Sequence, residues 1–132
     1  IGEITLTVLH TPGHTLESTS FLLKDNFGKE YCIFTGDTLF LGDVGIPDVA
    51  QRYMGLSKEQ LAGILYDSVN LKIKPLPDNI LVYPGHGSGS ACGKNMMKAT
   101  VDTLGNQKKM NYALNGSLSK DDFIKQLTNN YQ

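Results

Sequence analysis

The sequence has almost no excess charge, a single arginine, two cysteines and no long apolar run. Its 12 basic and 13 acidic residues leave a net charge of −1, so no strong field attracts nucleic acid or anionic lipid. Arg52 is the only arginine, which weakens the readout of phosphates or bases. The apolar runs, about four or five residues long, are too short for a membrane-spanning helix. We therefore expect neither nucleic acid nor membrane among the partners.

The two cysteines, Cys32 and Cys92, are too few for a disulfide framework. With no secretory signal in view, they indicate a reducing compartment, and we expect a cytoplasmic location. The 132 residues suffice for one domain of ordinary globular composition. The chain nevertheless opens without methionine in a predicted strand, so we expect a piece of a longer protein.

The hydrophobic pattern predicts a sheet with helices packed on one face. Strands are predicted at residues 3–9, 19–24, 31–35 and 80–83, and Ile4, Leu6 and Val8 are predicted to face the core. Helices are predicted at residues 57–70, at 95–109 and after Ser119. Residues 38–56, with three glycines and Pro47, are predicted to form a long ordered loop with a helical turn.

Four polar side chains stand in glycine-bearing turns at the ends of predicted strands. They are His10, His14, Asp37 and His86, and they include every histidine of the chain. Ligands and catalytic groups of α/β proteins collect at such strand ends. Imidazole nitrogen and carboxylate oxygen suit zinc or iron. Taken singly, each residue is as well explained by turn chemistry or by a hydrogen-bonded core position, and spacing alone leaves both explanations open.

Three segments resemble the last three metal-binding motifs of the metallo-β-lactamase superfamily. They are residues 11–15 (TPGHT), 34–40 (FTGDTLF) and 83–87 (YPGHG). The resemblance implies an α/β fold, specifically the C-terminal half of an αββα sandwich, with residues 1–132 forming a single partial domain. It also implies that His14, Asp37 and His86 are metal ligands, and that Asp37 and His86 are catalytic. His10 matches no ligand position and is expected to cap or pack the turn.

The superfamily's H-x-H-x-D-H motif, which supplies the remaining ligands, does not occur in these 132 residues. Half a metal cage binds weakly, so we expect little metal on this chain alone. Half of a sandwich also exposes an apolar sheet, which we expect to pair with its missing half or to form a homo-oligomer. The chain alone would then be a catalytically inactive fragment, which is the alternative to an active enzyme.

Residues 38–51, 87–96 and 106–114 resemble the persulfide dioxygenase branch of the superfamily. That resemblance implies one Fe(II), held by His14, Asp37 and an upstream histidine, with His86 nearby, and a small-molecule persulfide as substrate. The alternative is a hydroxyacylglutathione hydrolase, which cleaves a thioester with one or two Zn(II) ions. There Asp37 would bridge the metals and His86 would bind the second one.

The sequence does not identify the thiol that carries the substrate. Relatives often place an arginine for the glutathione carboxylate where this sequence has Ile46. Lys94 is the candidate substrate-binding residue in its place. Cys92 is either a reactive thiol or a spacer in a tight loop, whereas Cys32 is predicted to be a core residue of its strand.

Overall fold

A computed structural model of the chain describes residues 2–47, 55–85 and 100–129. Its strands are β1 (Thr5–His10), β2 (Thr19–Lys24), β3 (Glu30–Gly36), β4 (Leu39–Phe40), β5 (Asp43–Val44), β6 (Leu81–Pro84) and β7 (Asp102–Thr103). Its helices are α1 (Lys58–Ser68), which continues as a π-helical turn at Val69–Ile73, α2 (Leu104–Met110) and α3 (Lys120–Asn129). None of the described helices is both long and apolar enough to cross a membrane.

Five strands form one mixed sheet in the order β1-β2-β3-β6-β7, and β4 pairs with β5 in a separate hairpin. Strands β1, β2 and β3 are antiparallel neighbours, whereas β3 and β6 are parallel. The carboxyl ends of β3 and β6 therefore lie at the same edge of the sheet. There the N–H of Gly85 donates to the carbonyl of Gly36 at 2.8 Å.

The core lies on one face of this sheet, under the helices. Leu22, Ile33 and Val82 are cross-strand partners and pack with Leu65 of α1 and Phe123 of α3 in one buried cluster. Side chains opposite one another on neighbouring strands share a face, so this row forms a continuous apolar surface on which the helices pack. The predicted α/β fold class, with helices on one face, is confirmed.

The opposite face, which we call the outer face, is defined by the cross-strand row Val8, Phe21, Phe34 and Tyr83. Val8 is 63% exposed and Phe21 is 42% exposed, while Phe34 and Tyr83 stack with ring centroids 5.5 Å apart. Four apolar side chains thus stand in a line on a surface that none of the described helices covers.

The prediction that Ile4, Leu6 and Val8 face the core was wrong, because all three are exposed and Leu9 packs against the core instead. The period of two was correct, but both faces of β1 carry apolar residues, so alternation does not say which face is buried.

Two predicted segments also differ from the structure. Residues 39–44, predicted as part of a loop, form the β4–β5 hairpin, and the rest of that segment is described only at residues 45–47 and 55–56. Of the predicted helix at 95–109, residues 95–99 lie outside the described residues. Residues 102–103 pair with β6, and α2 begins at Leu104. Strand pairing with β6 outweighs the local helical pattern there, and the Thr103 side chain caps the helix by accepting from the N–H of Asn106 at 3.2 Å.

Candidate metal site

The TPGH turn after β1 is fastened to helix α1. The hydroxyl of Ser68 donates to the carbonyl of Pro12 at 2.7 Å. Gly13 lies against the backbone of Leu65 so closely that a Cβ on Gly13 would stand 2.5 Å from the Leu65 Cα, and its φ of +145° disfavours other residues. The turn therefore needs glycine at this position. Its contacts with helix α1 fix the backbone position from which the His14 side chain projects.

His10 holds the turn from the other side, as the sequence predicted. Its Nε2 donates to the carbonyl of Leu16 at 2.7 Å, and its own carbonyl accepts from Lys72. The His10 ring is thus hydrogen-bonded to the backbone of the turn and lies outside the candidate site.

His14 points towards Asp37. Its Nε2 lies 3.6 Å from Asp37 Oδ2, and the two side chains are 14% and 34% exposed. Its other ring nitrogen, Nδ1, donates to the carbonyl of Ile46 at 2.5 Å. A carbonyl only accepts hydrogen bonds, so this contact puts the proton of the neutral ring on Nδ1 and leaves a lone pair on Nε2.

Asp37 is placed by three glycines. Gly36, with a φ of +52°, turns the chain at the end of β3. Gly85 crosses beside it, where a Cβ would meet the Gly36 carbonyl at 3.0 Å. Gly45 is tighter still, since a Cβ there would stand 1.7 Å from the Asp37 carbonyl oxygen and 3.3 Å from the His14 Cβ. Gly45 therefore lies against the Asp37 backbone on one side and close to the His14 Cβ on the other.

The pair fits one side of a metal site. Two ligands with bonds of about 2.1 Å to one tetrahedral ion stand about 3.4 Å apart, close to the observed 3.6 Å. That separation is too long for a hydrogen bond between the two groups. A carboxylate oxygen and an imidazole lone pair, with the far nitrogen bonded to a carbonyl, form the usual pattern of a ligating histidine. Only two donors meet here, because no group of three or more His, Cys, Asp or Glu side chains with metal-site geometry occurs among residues 2–47, 55–85 and 100–129.

Buried hydroxyls tie together the two turns that carry His14 and Asp37. The Thr11 hydroxyl contacts the hydroxyls of Ser20 at 2.9 Å and Thr38 at 3.0 Å. The Thr38 hydroxyl also donates to the Thr11 carbonyl at 3.1 Å. All three side chains are fully buried. The threonines of the TPGHT and TGDTL motifs thus join the turns, a role that sequence reasoning missed although both residues stood within the quoted motifs.

A second buried network anchors the β4–β5 hairpin to helix α2. The Asn111 amide donates to the carbonyls of Phe40 and Asp43 at 3.1 and 3.0 Å. The Gln107 side-chain carbonyl accepts from the N–H of Gly42 at 2.8 Å. The Tyr112 hydroxyl donates to Asp43 Oδ1 at 2.5 Å. Sequence reasoning gave residues 106–114 only a family resemblance and assigned these side chains no role.

Burial, followed by the charge and hydrogen bond of Asp43, raises the pKa of the Tyr112 hydroxyl above its usual range. Tyr112 therefore stays protonated and donating at every physiological pH. Burial likewise raises the pKa of the Cys32 thiol. Cys32 is a buried free cysteine, as predicted for a packing residue, and its chemistry is correspondingly suppressed.

His86, Lys94 and Cys92 lie outside the described residues. Their predicted roles as metal ligand, substrate-binding residue and reactive thiol or spacer stay predictions. Gly85, the described residue before His86, is hydrogen-bonded to Gly36, the residue before Asp37.

Sequence comparisons find similar proteins of known name, although no protein-family model matches the chain. The mitochondrial persulfide dioxygenase ETHE1 of Mus musculus is 34% identical over 128 residues, which are 97% of this chain and 42% of that protein. A probable hydroxyacylglutathione hydrolase of Schizosaccharomyces pombe is 35% identical over 86 residues, which are 65% of this chain and 29% of that protein.

Two crystal structures are similar over the whole chain. A metallo-beta-lactamase from Staphylococcus aureus subsp. aureus COL superposes with a TM-score of 0.86 and 41% identity, covering 37% of that protein. ETHE1 from Myxococcus xanthus superposes with a TM-score of 0.75 and 32% identity, covering 48%. The chain thus spans less than half the length of each of these relatives.

Proposed function

Because the chain belongs to the metallo-β-lactamase superfamily, we propose that it carries part of the metal centre of an enzyme acting on a sulfur-linked small molecule. Oxidation of a persulfide is the first assignment. The similarity to ETHE1 over 97% of the chain supports it, and so does the two-donor set of one histidine and one carboxylate.

The observation that carries the proposal is the convergence of His14 Nε2 and Asp37 Oδ2 at 3.6 Å, with His14 Nδ1 bonded to the Ile46 carbonyl. That bond orients the ring, keeps its proton on the far nitrogen and makes Nε2 the better donor. Asp37 adds negative charge beside it. In this proposal both residues bind the metal, and the buried hydroxyl network keeps their turns in register.

One Fe(II), or one or two Zn(II), is the metal proposed for this site, and when bound it would supply a Lewis acid with open positions for substrate. Two donors do not complete a cage, so further ligands are needed. In the dioxygenase arrangement an additional histidine outside this chain completes the set, and His86 orients substrate or water. The chain itself is then one partial domain, residues 1–132, with little metal affinity of its own.

Hydrolysis of a glutathione thioester is the second candidate, favoured by the similarity to hydroxyacylglutathione hydrolase. In that arrangement Asp37 and His86 would both hold Zn(II), which would supply a Lewis acid for attack on the thioester carbonyl. The two assignments thus differ in what they require of His86, which makes that side chain the residue that separates them.

The proposed partner is a small-molecule thiol, persulfide or thioester, with no nucleic acid and no membrane. Ile46 stands where an arginine would hold a glutathione carboxylate, so Lys94 is proposed to meet the carrier. We propose a reducing, cytoplasmic location from the cysteine usage, of which Cys32 is a buried free thiol; the ETHE1 relatives are named mitochondrial.

The first test is the metal content of the protein containing this chain, with His14→Ala as the variant and His10→Ala as the matched control. We expect His14→Ala to lower bound iron or zinc at least tenfold, because one ligand is lost, while His10→Ala keeps its metal. Equal metal in wild type and His14→Ala would remove His14 from the site.

The reaction is then tested with the iron-loaded and zinc-loaded protein. We expect oxygen uptake with glutathione persulfide in the iron form, and His86→Ala to retain bound iron while losing rate. Thioester hydrolysis by the zinc form with no oxygen uptake by the iron form would replace the dioxygenase assignment with the hydrolase.

A further inference from the structure

We propose that Asn111 and Tyr112, at the end of helix α2, are positioning residues that hold the β4–β5 hairpin so that the Ile46 carbonyl fixes the tautomer of His14. The proposal rests on the proposed function only for what His14 binds. The contacts that carry it belong to the described residues alone.

The hairpin is held at its turn by side chains of α2 and the residues that follow it. The Asn111 amide donates to the carbonyls of both Phe40 and Asp43, which flank the two-residue turn, and Gln107 accepts from Gly42 within the turn. Asn111 and Gln107 are both fully buried. A buried amide that satisfies two main-chain carbonyls leaves the turn little freedom, because each lost bond leaves an unsatisfied polar group.

Tyr112 makes the fourth contact, through the Asp43 side chain. Its hydroxyl donates to Asp43 Oδ1 at 2.5 Å, and the same oxygen accepts from the N–H of Val44 at 2.8 Å. The carboxylate therefore connects the Tyr112 ring to the strand that leaves the hairpin. Since Asp43 is almost fully buried, removing the tyrosine hydroxyl deprives a buried carboxylate of a donor.

The strand leaving the hairpin reaches His14 two residues later. Gly45 donates to the Thr38 carbonyl at 3.2 Å and packs on the Asp37 carbonyl. The next carbonyl, that of Ile46, accepts from His14 Nδ1. A displacement of the hairpin therefore moves the carbonyl that accepts the Nδ1 proton of His14. In this proposal the influence of α2 on His14 passes through the hairpin.

The experiment reads the His14 tautomer directly by long-range proton–nitrogen NMR of the imidazole rings, which are only three in this chain. Wild type is compared with Tyr112→Phe and Asn111→Ser. The control is Tyr66→Phe, because the Tyr66 ring packs on the same Phe123 as that of Tyr112 but from helix α1. A parallel titration of the complete protein that contains this chain, carrying the same substitutions, measures its affinity for Co(II).

We expect wild type and Tyr66→Phe to hold His14 in the Nδ1–H form. Tyr112→Phe and Asn111→Ser should show the Nε2–H form as well, and Co(II) affinity should fall by about 10- to 100-fold, the usual effect of outer-sphere changes. Folded variants with the His14 signals of wild type would overturn the proposal, even if their melting temperature fell. If Asn111→Ser does not fold, Tyr112→Phe decides, since it keeps the packed ring.

The two ideas fail separately. Should the complete protein that contains this chain bind no Co(II) while the tautomer still responds to Tyr112→Phe, the proposed function is wrong and the positioning role stands. Should Co(II) bind while the tautomer is indifferent to both variants, the positioning role is wrong and the proposed function stands.

Discussion

At the scale of single residues, the candidate site depends on glycines that allow backbones to touch. Gly45 illustrates this most sharply, because its φ is not in the left-handed region and only space forbids a side chain. A Cβ would stand 1.7 Å from the Asp37 carbonyl oxygen, a distance that no rotamer can relieve. The constraint is therefore on how closely the backbone at Gly45 approaches the Asp37 carbonyl.

We expect Gly45→Ala to lower the free energy of unfolding by about 1–3 kcal/mol, as overpacking does, and to shift the NMR signals of His14 and Asp37. Urea unfolding and chemical-shift mapping measure the two effects.

Gly63→Ala is the matched control. Gly63 lies inside α1, and an added Cβ would meet only the far ends of Ile124 and Lys120 at 3.4 and 3.5 Å. Since alanine is favoured over glycine in helices, stability should rise by up to about 1 kcal/mol. A Gly45→Ala protein as stable as wild type would show that the Asp37 turn yields freely.

At the scale of elements, the hairpin and α2 are joined by polar contacts that are buried on both sides. The Tyr112–Asp43 bond is the one whose contribution depends on pH, because the folded protein raises the pKa of Tyr112. The contribution is fully present while tyrosine is protonated in both states, which holds below the ordinary tyrosine pKa of about 10.

Above about pH 10 the unfolded chain loses this proton while the folded chain keeps it, so the free energy of unfolding should fall by up to about 1.4 kcal/mol per pH unit. Tyr112→Phe should lose this part of the alkaline slope, and at neutral pH should cost about 1–3 kcal/mol for the carboxylate contact. Urea unfolding across the alkaline range measures both quantities. An unchanged slope in Tyr112→Phe would contradict the assignment.

At the scale of the whole molecule, the two faces of the sheet differ. One face lies under the helices, and the outer face presents the row Val8, Phe21, Phe34 and Tyr83. Contiguous exposed apolar surface of this kind marks an interaction site.

For the 132-residue chain by itself we expect a second copy to occupy the outer face. Sedimentation velocity at increasing concentration should show self-association, and Val8→Lys should abolish it, because burying an unpaired ammonium is costly. Leu71→Lys is the control, since Leu71 is 71% exposed but lies in the π-helical turn, away from the sheet. A wild-type chain that stays monomeric at every concentration would exclude this pairing.

Much of the fold was predictable from local pattern. The sequence predicted a helix from residue 57, and α1 begins at Lys58, behind a capping box formed by Ser57 and Gln60. The helix predicted after Ser119 is α3, where the Ser119 hydroxyl accepts from the N–H of Asp122. The β4–β5 hairpin and β7 were not predictable in this way. The strands β4, β5 and β7 are each two residues long, too short to show a hydrophobic period. The hairpin is held by Asn111 and β7 by β6, both distant in sequence.

The candidate site divides similarly. The sequence by itself determined which side chains are the candidates, because His14 and Asp37 stand in glycine-bearing turns at predicted strand ends. Only the tertiary structure decided that these two side chains meet, that Ile46 holds the proton of His14, and that the apolar face of β1 points outward. Each of these depends on a contact between segments far apart in the chain. Packing and strand pairing set that contact, so the residues of neither segment reveal it locally.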